Sequence, residues 1–231
     1  MFVSSSIETA RAFYQQLGPE RLAARTSPEW DQEIVQAVHA MLRPGQRILD
    51  AGCGYGRIAI PLTAAGYDVI GVDISEALLA EAHRRADAQR LNLRLLNESM
   101  CSMSLPSAHI DVVLCLWSAF HELLTEEEQI SAVLEINRVL RPGGWALIEG
   151  PPYIEATSEE IATHKRYGVD NRLSADAVEG LANHHFRHDE TTLRALMEKA
   201  RISIYGTYTQ DWAGRARQFL RFEKAEISNA M

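Results

Sequence analysis

Cysteine is scarce in this chain: Cys53, Cys101 and Cys115 are the only three, an odd number without metal-ligand spacing. That excludes a disulfide framework and a cysteine-built metal centre, and it predicts reduced, largely buried thiols. Long apolar runs are missing too. No stretch nears the ~18 residues of a membrane span and no signal-type run opens the sequence, so the expectation is a soluble, cytoplasmic protein with no membrane partner. Basic charge is short, with 23 Lys and Arg against 31 acids and a net charge of −8. Phosphate contact needs a basic face, so no nucleic-acid partner is expected. Internal repeats and low-complexity segments are absent. What is there is 231 residues with 46% hydrophobic content, which suits one domain with an elaboration better than two independent ones.

The chain is organised around Ile48-Leu49-Asp50-Ala51-Gly52-Cys53-Gly54-Tyr55-Gly56-Arg57. An apolar run ends in an acid and then in glycines at alternate positions, which reads as a buried strand turning sharply into a helix. Side chains at Gly52 and Gly54 would fill the space where a ligand lies, and the turn delivers free backbone N–H groups at a helix start. A second strand, Tyr67 to Asp73, also closes on an acid. That spacing from the loop lets a carboxylate accept hydrogen bonds from both hydroxyls of a ribose. A dinucleotide fold wants G-x-G-x-x-G, whereas here Arg57 occupies the third-glycine position and Asp50 precedes the loop. An acid there suits a ligand with a cationic end and suits a pyrophosphate badly.

At these residues the chain resembles the class I S-adenosylmethionine-dependent methyltransferases, of the small-molecule type. Leu49 to Gly56 looks like their first motif and Val69 to Ser75 their second. Ile110-Asp111-Val112-Val113 is similar to their fourth strand, and Arg141-Pro142-Gly143-Gly144 to the tight turn before their fifth, here Trp145 to Glu149. Trp117 to Leu123 is similar to a Ser-x-x-His-His-Leu stretch with Glu122 in place of the second histidine. The resemblance implies an α/β, Rossmann-like, seven-stranded and mostly parallel sheet with a C-terminal antiparallel hairpin and a helical cap insertion. It implies one methyltransferase domain over 1–231, with an N-terminal lid at 1–27 and a cap over the acceptor pocket at 151–188. The cofactor would be S-adenosylmethionine, with S-adenosylhomocysteine as product. Asp50, Gly52, Cys53, Gly54 and Tyr55 would surround its methionine end, Asp73 and Ile74 the ribose, Ser99 and Met100 the adenine, and the Leu116 carbonyl its amino group. The third strand ends in Glu98-Ser99 where the family carries an aspartate, so which side chain meets the adenine amine stays open.

Elsewhere the pattern is helical over 1–24 with Gly18-Pro19 as a breaker, and a helix starts at the Ser27-Pro28 cap. Arg57 to Ala65 should be the first crossover helix, and Ser75 and Thr125 each cap a helix, the latter in a capping box with Glu128. In the insertion, 158–166 and 174–181 read as short helices. Asp189 caps a further helix, Ile202 to Tyr208 and Ala216 to Glu223 should form the closing hairpin, and 225–231 reads as a loose tail.

Transfer of a sulfonium methyl is an in-line displacement in which positioning supplies most of the rate, so a base is optional. His121 and Tyr153 are the candidate catalytic residues, and Tyr14, Trp117 and Glu149 the candidate acceptor contacts; Glu149 equally suits a cap or ion-pair role. His184-His185-x-x-His188-Asp189 has the composition of a metal site, but adjacent strand histidines face opposite ways, so a solvated turn and no metal are expected. His164-Lys165-Arg166-Tyr167 could hold an acidic substrate. The leading function is methyl transfer to a small molecule. Alternatives are an RNA or protein methyltransferase, a cofactor-binding regulatory protein without turnover, and, least favoured, an NAD-dependent oxidoreductase. The acceptor and the oligomeric state stay open.

Overall fold

The structure, a computed structural model, describes residues 5–155, 157–158, 173–178, 181–212 and 214–226. Its centre is a seven-stranded sheet of β1 (Arg47–Ala51), β2 (Asp68–Asp73), β3 (Arg94–Asn97), β4 (Ile110–Cys115), β5 (Leu140–Gly150), β8 (Tyr205–Trp212) and β9 (Arg215–Glu223), in the order β3-β2-β1-β4-β5-β9-β8. The first five strands run parallel, and β9 is antiparallel to both β5 and β8. Strand order reverses between β1 and β4, the switch point at which open α/β sheets leave a crevice.

Helices cover both faces, as parallel strands require. On one face α2 (Pro28–Met41) and α3 (Ala59–Ala64) pack Ile34, Val38 and Leu62 against Ile48, Val112 and Leu147. On the other, α5 (Glu126–Val139) and α6 (Glu190–Lys199) pack Val133, Ile136, Leu193 and Met197 against Leu49, Val113 and Ile148; α4 (Glu76–Ala88) flanks β2 and β3. The expected caps are in place. Ser27 Oγ accepts the Trp30 N–H at 3.2 Å, Ser75 Oγ accepts that of Leu78 at 3.4 Å, Thr125 and Glu128 form the reciprocal box, and Asp189 accepts from Thr192 at 2.8 Å. The first crossover helix is shorter than predicted, because Gly54 and Gly56 hold positive φ and keep 54–58 in a turn. β5 begins earlier than expected, the glycine turn at 141–144 being absorbed into a strand whose register with β4 shifts by a bulge. β8 begins later, at Tyr205.

α1 (Ser6–Ala23) bends at Gly18, whose φ of 72° and ψ of 164° break the helix. Phe13 and Leu17 on its inner side are buried, at about 1.5–3 kcal/mol each. The segment 174–181, expected as a helix, instead supplies β6 (Leu173–Val178) and the start of β7 (Leu181–Phe186). The two pair antiparallel from Leu173 with Phe186 to Val178 with Leu181. Alanines at 175 and 177 suggest helix, but cross-strand pairing and packing of β7 against α1 outweigh local propensity. The helix expected at 158–166, the His164–Tyr167 run and most of the C-terminal tail lie outside the described residues. Among the described residues no helix is long and apolar enough to cross a membrane.

Candidate active site

A cleft of about 930 Å³ opens at the switch point, beyond the carboxyl ends of β1, β2 and β4. Every residue expected at the cofactor lines it: Asp50, Gly52, Cys53, Gly54, Tyr55, Asp73, Ile74, Ser99, Met100 and Leu116. Glycine is required twice in the loop. Gly52, at φ 83°, follows β1 so closely under the post-β4 segment that a Cβ would run into the Ala119 methyl. Gly56, at φ 85°, would put a Cβ 2.7 Å from Ile60 Cδ1. Protein packing alone thus already requires glycine at 52, which also lines the cleft.

Asp73 ties the two motifs together. One carboxylate oxygen accepts the Gly54 N–H and the other the Ser75 N–H, both at 2.8 Å, leaving further lone pairs for the cleft. Desolvation pushes its pKa up to about 6, although those backbone donors pull the other way. Asp50 is buried at the cleft floor, and its Oδ2 has no hydrogen-bond partner. Burial, and then the neighbouring Asp73 charge, push its pKa up to about 7. A buried carboxylate oxygen left unpaired is costly unless a cation or donor meets it. The floor of this cleft therefore offers an open acceptor that suits a hydrogen-bond donor or a positively charged group. At the adenine end expected from sequence, Glu98 and Ser99 both line the wall, and each also holds the local chain: Glu98 accepts from Ser104 N–H at 2.8 Å, and Ser99 Oγ from Cys101 N–H at 3.2 Å.

The other side of the cleft is assembled over long range. α1 brings Ile7, Ala10 and Tyr14 across it, and the Tyr14 hydroxyl donates to Glu122 Oε1. Glu122 belongs to the short 3-10 turn Ala119–Glu122 and also meets His185 Nε2 of β7 at 3.4 Å. α1, the post-β4 turn and the β6–β7 hairpin thus converge on one carboxylate, which the sequence marked only as a departure from a histidine pair.

His121 does not line the cleft. Its ring is buried against Gly150 and His188, with Nδ1 2.9 Å from the Phe186 carbonyl, and burial holds its pKa well below the ordinary value. Tyr153 lies outside the cleft as well, 37% exposed. Glu149 is buried, accepting the Trp117 N–H at 2.7 Å and pairing with Arg217. Arg217 in turn donates to Ser118 Oγ at 2.9 Å. This network holds Trp117 and Ser118 at φ 57° and 70°, a left-handed conformation that costs non-glycine residues of order 1–3 kcal/mol and clusters at functional sites. Trp117 itself lines the cleft, beneath the Arg57 guanidinium at 3.8 Å. His184 and His188 are buried, which corrects the expectation of a solvated turn. No metal-binding cluster is found among the described residues, and the thiols of Cys53 and Cys115 are buried and free.

Residues 48–144 match the family model of a methyltransferase domain. Among curated proteins the chain is 29% identical over 142 residues to a eukaryotic eEF1A lysine and N-terminal methyltransferase from Mus musculus, covering 57% of this chain and 19% of that protein. It is 36% identical over 129 residues to the 27-O-demethylrifamycin SV methyltransferase of Amycolatopsis mediterranei, covering 52% and 46%. The chain thus spans about a fifth and about half of these relatives' lengths. Among solved structures it superposes on the Burkholderia thailandensis 1,6-didemethyltoxoflavin-N1-methyltransferase with a TM-score of 0.68 at 18% identity, over 98% of this chain and 93% of that one. Residues 48–144 thus match a methyltransferase domain, and the strand order and the glycine-loop cleft set that match in a fold shared with solved methyltransferases.

Proposed function

We propose that the protein binds S-adenosylmethionine in the cleft and directs its methyl group to a small-molecule acceptor presented from the side of α1, the post-β4 turn and β7. The observation that carries this reading is the unpaired, buried Oδ2 of Asp50 at the floor of a cleft that Asp73 and the glycine loop border. Asp50 meets the cationic amino end of the cofactor, with Gly52, Cys53, Gly54, Tyr55 and the Leu116 carbonyl around it. Asp73, oriented by the Gly54 and Ser75 amides, takes the ribose with Ile74; Ser99 and Met100 flank the adenine, and Glu98 is the acid nearest to hand for its amine. Bound there, the cofactor supplies a sulfonium methyl open to in-line attack. The protein's own contribution is positioning: α1 and the cap exclude water, and Trp117, pinned by Glu149, walls the reacting end.

The group within the cleft suited to steer or accept an acceptor proton is the Tyr14–Glu122 pair. His121, turned into the cap interface, acts on the acceptor side by holding that interface closed, and Tyr153 and Glu149 by shaping its rim. The lid at 1–27 and the cap at 151–188 are read as closing segments of one domain, consistent with the hydrogen bond from α1 to Glu122.

Calorimetric titration with S-adenosylhomocysteine, with NAD as control, tests the cofactor site. Micromolar binding lost in Asp73→Ala is the expected outcome; equal binding of NAD would sink it. A second reading, a protein acceptor, is favoured by the eEF1A methyltransferase relative. Methyl incorporation into protein bands from a cell extract, but not into its small-molecule fraction, would establish that reading in place of the first.

A further inference from the structure

Arg57 stands just past the glycine loop, at the place where a dinucleotide fingerprint carries glycine. Its side chain lines the cleft and is only 10% exposed. The guanidinium lies over the Trp117 ring at 3.8 Å and 5.6 Å from the centre of the Tyr55 ring, so two aromatic residues that also line the cleft fix its place. Asp31 of α2, outside the cleft, is its carboxylate partner at 3.4 Å. No other acceptor meets the guanidinium among the described residues. A guanidinium carries five N–H donors, so one long contact leaves most of them unmatched.

The same cleft holds an unmatched group of opposite sign, the buried Oδ2 of Asp50. Burial and the Asp73 charge raise the Asp50 pKa and the Arg57 guanidinium opposes them, so the two groups sense each other although no ion pair joins them. An anion and a cation left open beside one loop are complementary to a ligand that carries both signs on neighbouring atoms. A pyrophosphate would satisfy Arg57 and be repelled by Asp50; a lone ammonium would satisfy Asp50 and be repelled by Arg57. An α-amino acid satisfies both, because its ammonium and carboxylate share one carbon, and a guanidinium fork matches a carboxylate bidentately. Resting on the methyl-transfer reading, we propose that Arg57 receives the α-carboxylate of the cofactor's methionine end while Asp50 receives its ammonium, so that the cleft selects an intact amino acid over decarboxylated or shortened forms. Trp117 and Tyr55 hold the guanidinium plane, and Asp31 anchors it from the side of α2.

The test is calorimetric titration of the whole chain with three ligands. S-adenosylhomocysteine carries both charges, its decarboxylated aminopropyl analogue keeps the ammonium alone, and 5′-methylthioadenosine has neither. The unsubstituted chain should bind S-adenosylhomocysteine at least about tenfold more tightly than the decarboxylated analogue. Arg57→Gln should cut that preference below about threefold by weakening S-adenosylhomocysteine, with the decarboxylated analogue held as tightly or more tightly and 5′-methylthioadenosine within about twofold of its former affinity. A merely structural Arg57 would instead weaken all three ligands alike and leave the preference intact, which overturns the assignment. Equal binding of the first two ligands by the unsubstituted chain overturns it as well. Should Arg57→Gln fail to fold, Arg57→Lys keeps a charge without the fork; its preference should fall by at least about threefold, and an undiminished one rejects the proposal. Tight binding of S-adenosylhomocysteine with a preference that Arg57 does not control rejects this assignment alone. Failure of all three ligands to bind sinks the methyl-transfer reading, and this assignment with it.

Discussion

At the glycine-loop end of the cleft, Asp50, Gly54, Asp73 and Ser75 come from one strand–helix–strand unit, and backbone amides at 2.8 Å hold the key carboxylate. At the opposite end Tyr14 and Glu122 meet across 108 positions of sequence, and His185 joins them from a hairpin in the insertion. The first end is rigid before any ligand arrives, because main-chain donors are part of the turn itself. The second exists only while α1 and the β6–β7 hairpin are docked on the post-β4 turn. On the proposed reading, cofactor recognition is local, whereas acceptor recognition depends on how α1 and the β6–β7 hairpin dock.

The largest effect that would sharpen this contrast is expected from Asp73→Ala. On the proposed reading it removes the carboxylate that takes both ribose hydroxyls, two charge-assisted hydrogen bonds worth about 1.5–3 kcal/mol each, so S-adenosylhomocysteine affinity should fall at least a hundredfold by calorimetry. An effect below fivefold would mean that the loop end does not carry the cofactor.

Next in size is pH. Asp50 and Asp73, pushed up to about 7 and about 6, are partly protonated near neutrality in the free protein. A cationic ligand favours the ionised form, so affinity should fall by up to about tenfold per pH unit as pH drops from about 8 to 5. A flat affinity profile would refute a carboxylate–ammonium contact. The same shifts act oppositely on the unliganded fold. Aspartates ionise near about 3.9 when unfolded, so between about pH 4 and 7 the folded chain holds more protons, and these two groups make stability fall as pH rises. His121 has the reverse sign: its folded pKa is depressed, so its contribution is lost as pH falls below about 6.5. In His121→Asn the acid-side loss should shrink while cofactor affinity stays within twofold, as measured by thermal melts across pH.

Smaller effects probe the closed end. Gly150→Ala would drive a methyl into the His121 ring and should cost about 1–3 kcal/mol in a denaturant melt, while leaving S-adenosylhomocysteine affinity unchanged once the protein is folded. Tyr14→Phe should lower kcat by about tenfold at most and raise the acceptor KM, with little change in cofactor affinity. If instead it weakens cofactor binding as much as Asp73→Ala, the division between the two ends fails.

The residues that line the glycine-loop end of the cleft were legible in the sequence. Their signals are short in range: a strand ending in Asp50, glycines at fixed offsets, and a second acid after the next strand. Caps at Ser27, Ser75, Thr125 and Asp189 were readable for the same reason, since each is a contact within one helical turn. Where the reading missed, a partner distant in sequence decided the outcome. Alanines at 175 and 177 signalled helix until the 181–186 strand paired with them. His121 has a pKa and a position suited to a base, but the Phe186 carbonyl and Gly150 turn its ring away from the cleft. Glu149 faces the right end of β5 and is already engaged by Trp117 and Arg217.

By itself, then, the sequence determined the strand–turn–helix cradle, the parallel character of the sheet and the class of cofactor, because those follow from backbone dihedrals and from spacing within one supersecondary unit. Only the tertiary structure decided which side chains line the far side of the cleft. The Tyr14–Glu122 and Arg57–Trp117 contacts depend on how α1, the post-β4 turn and the hairpins dock, and that docking is set by packing among residues far apart in the chain.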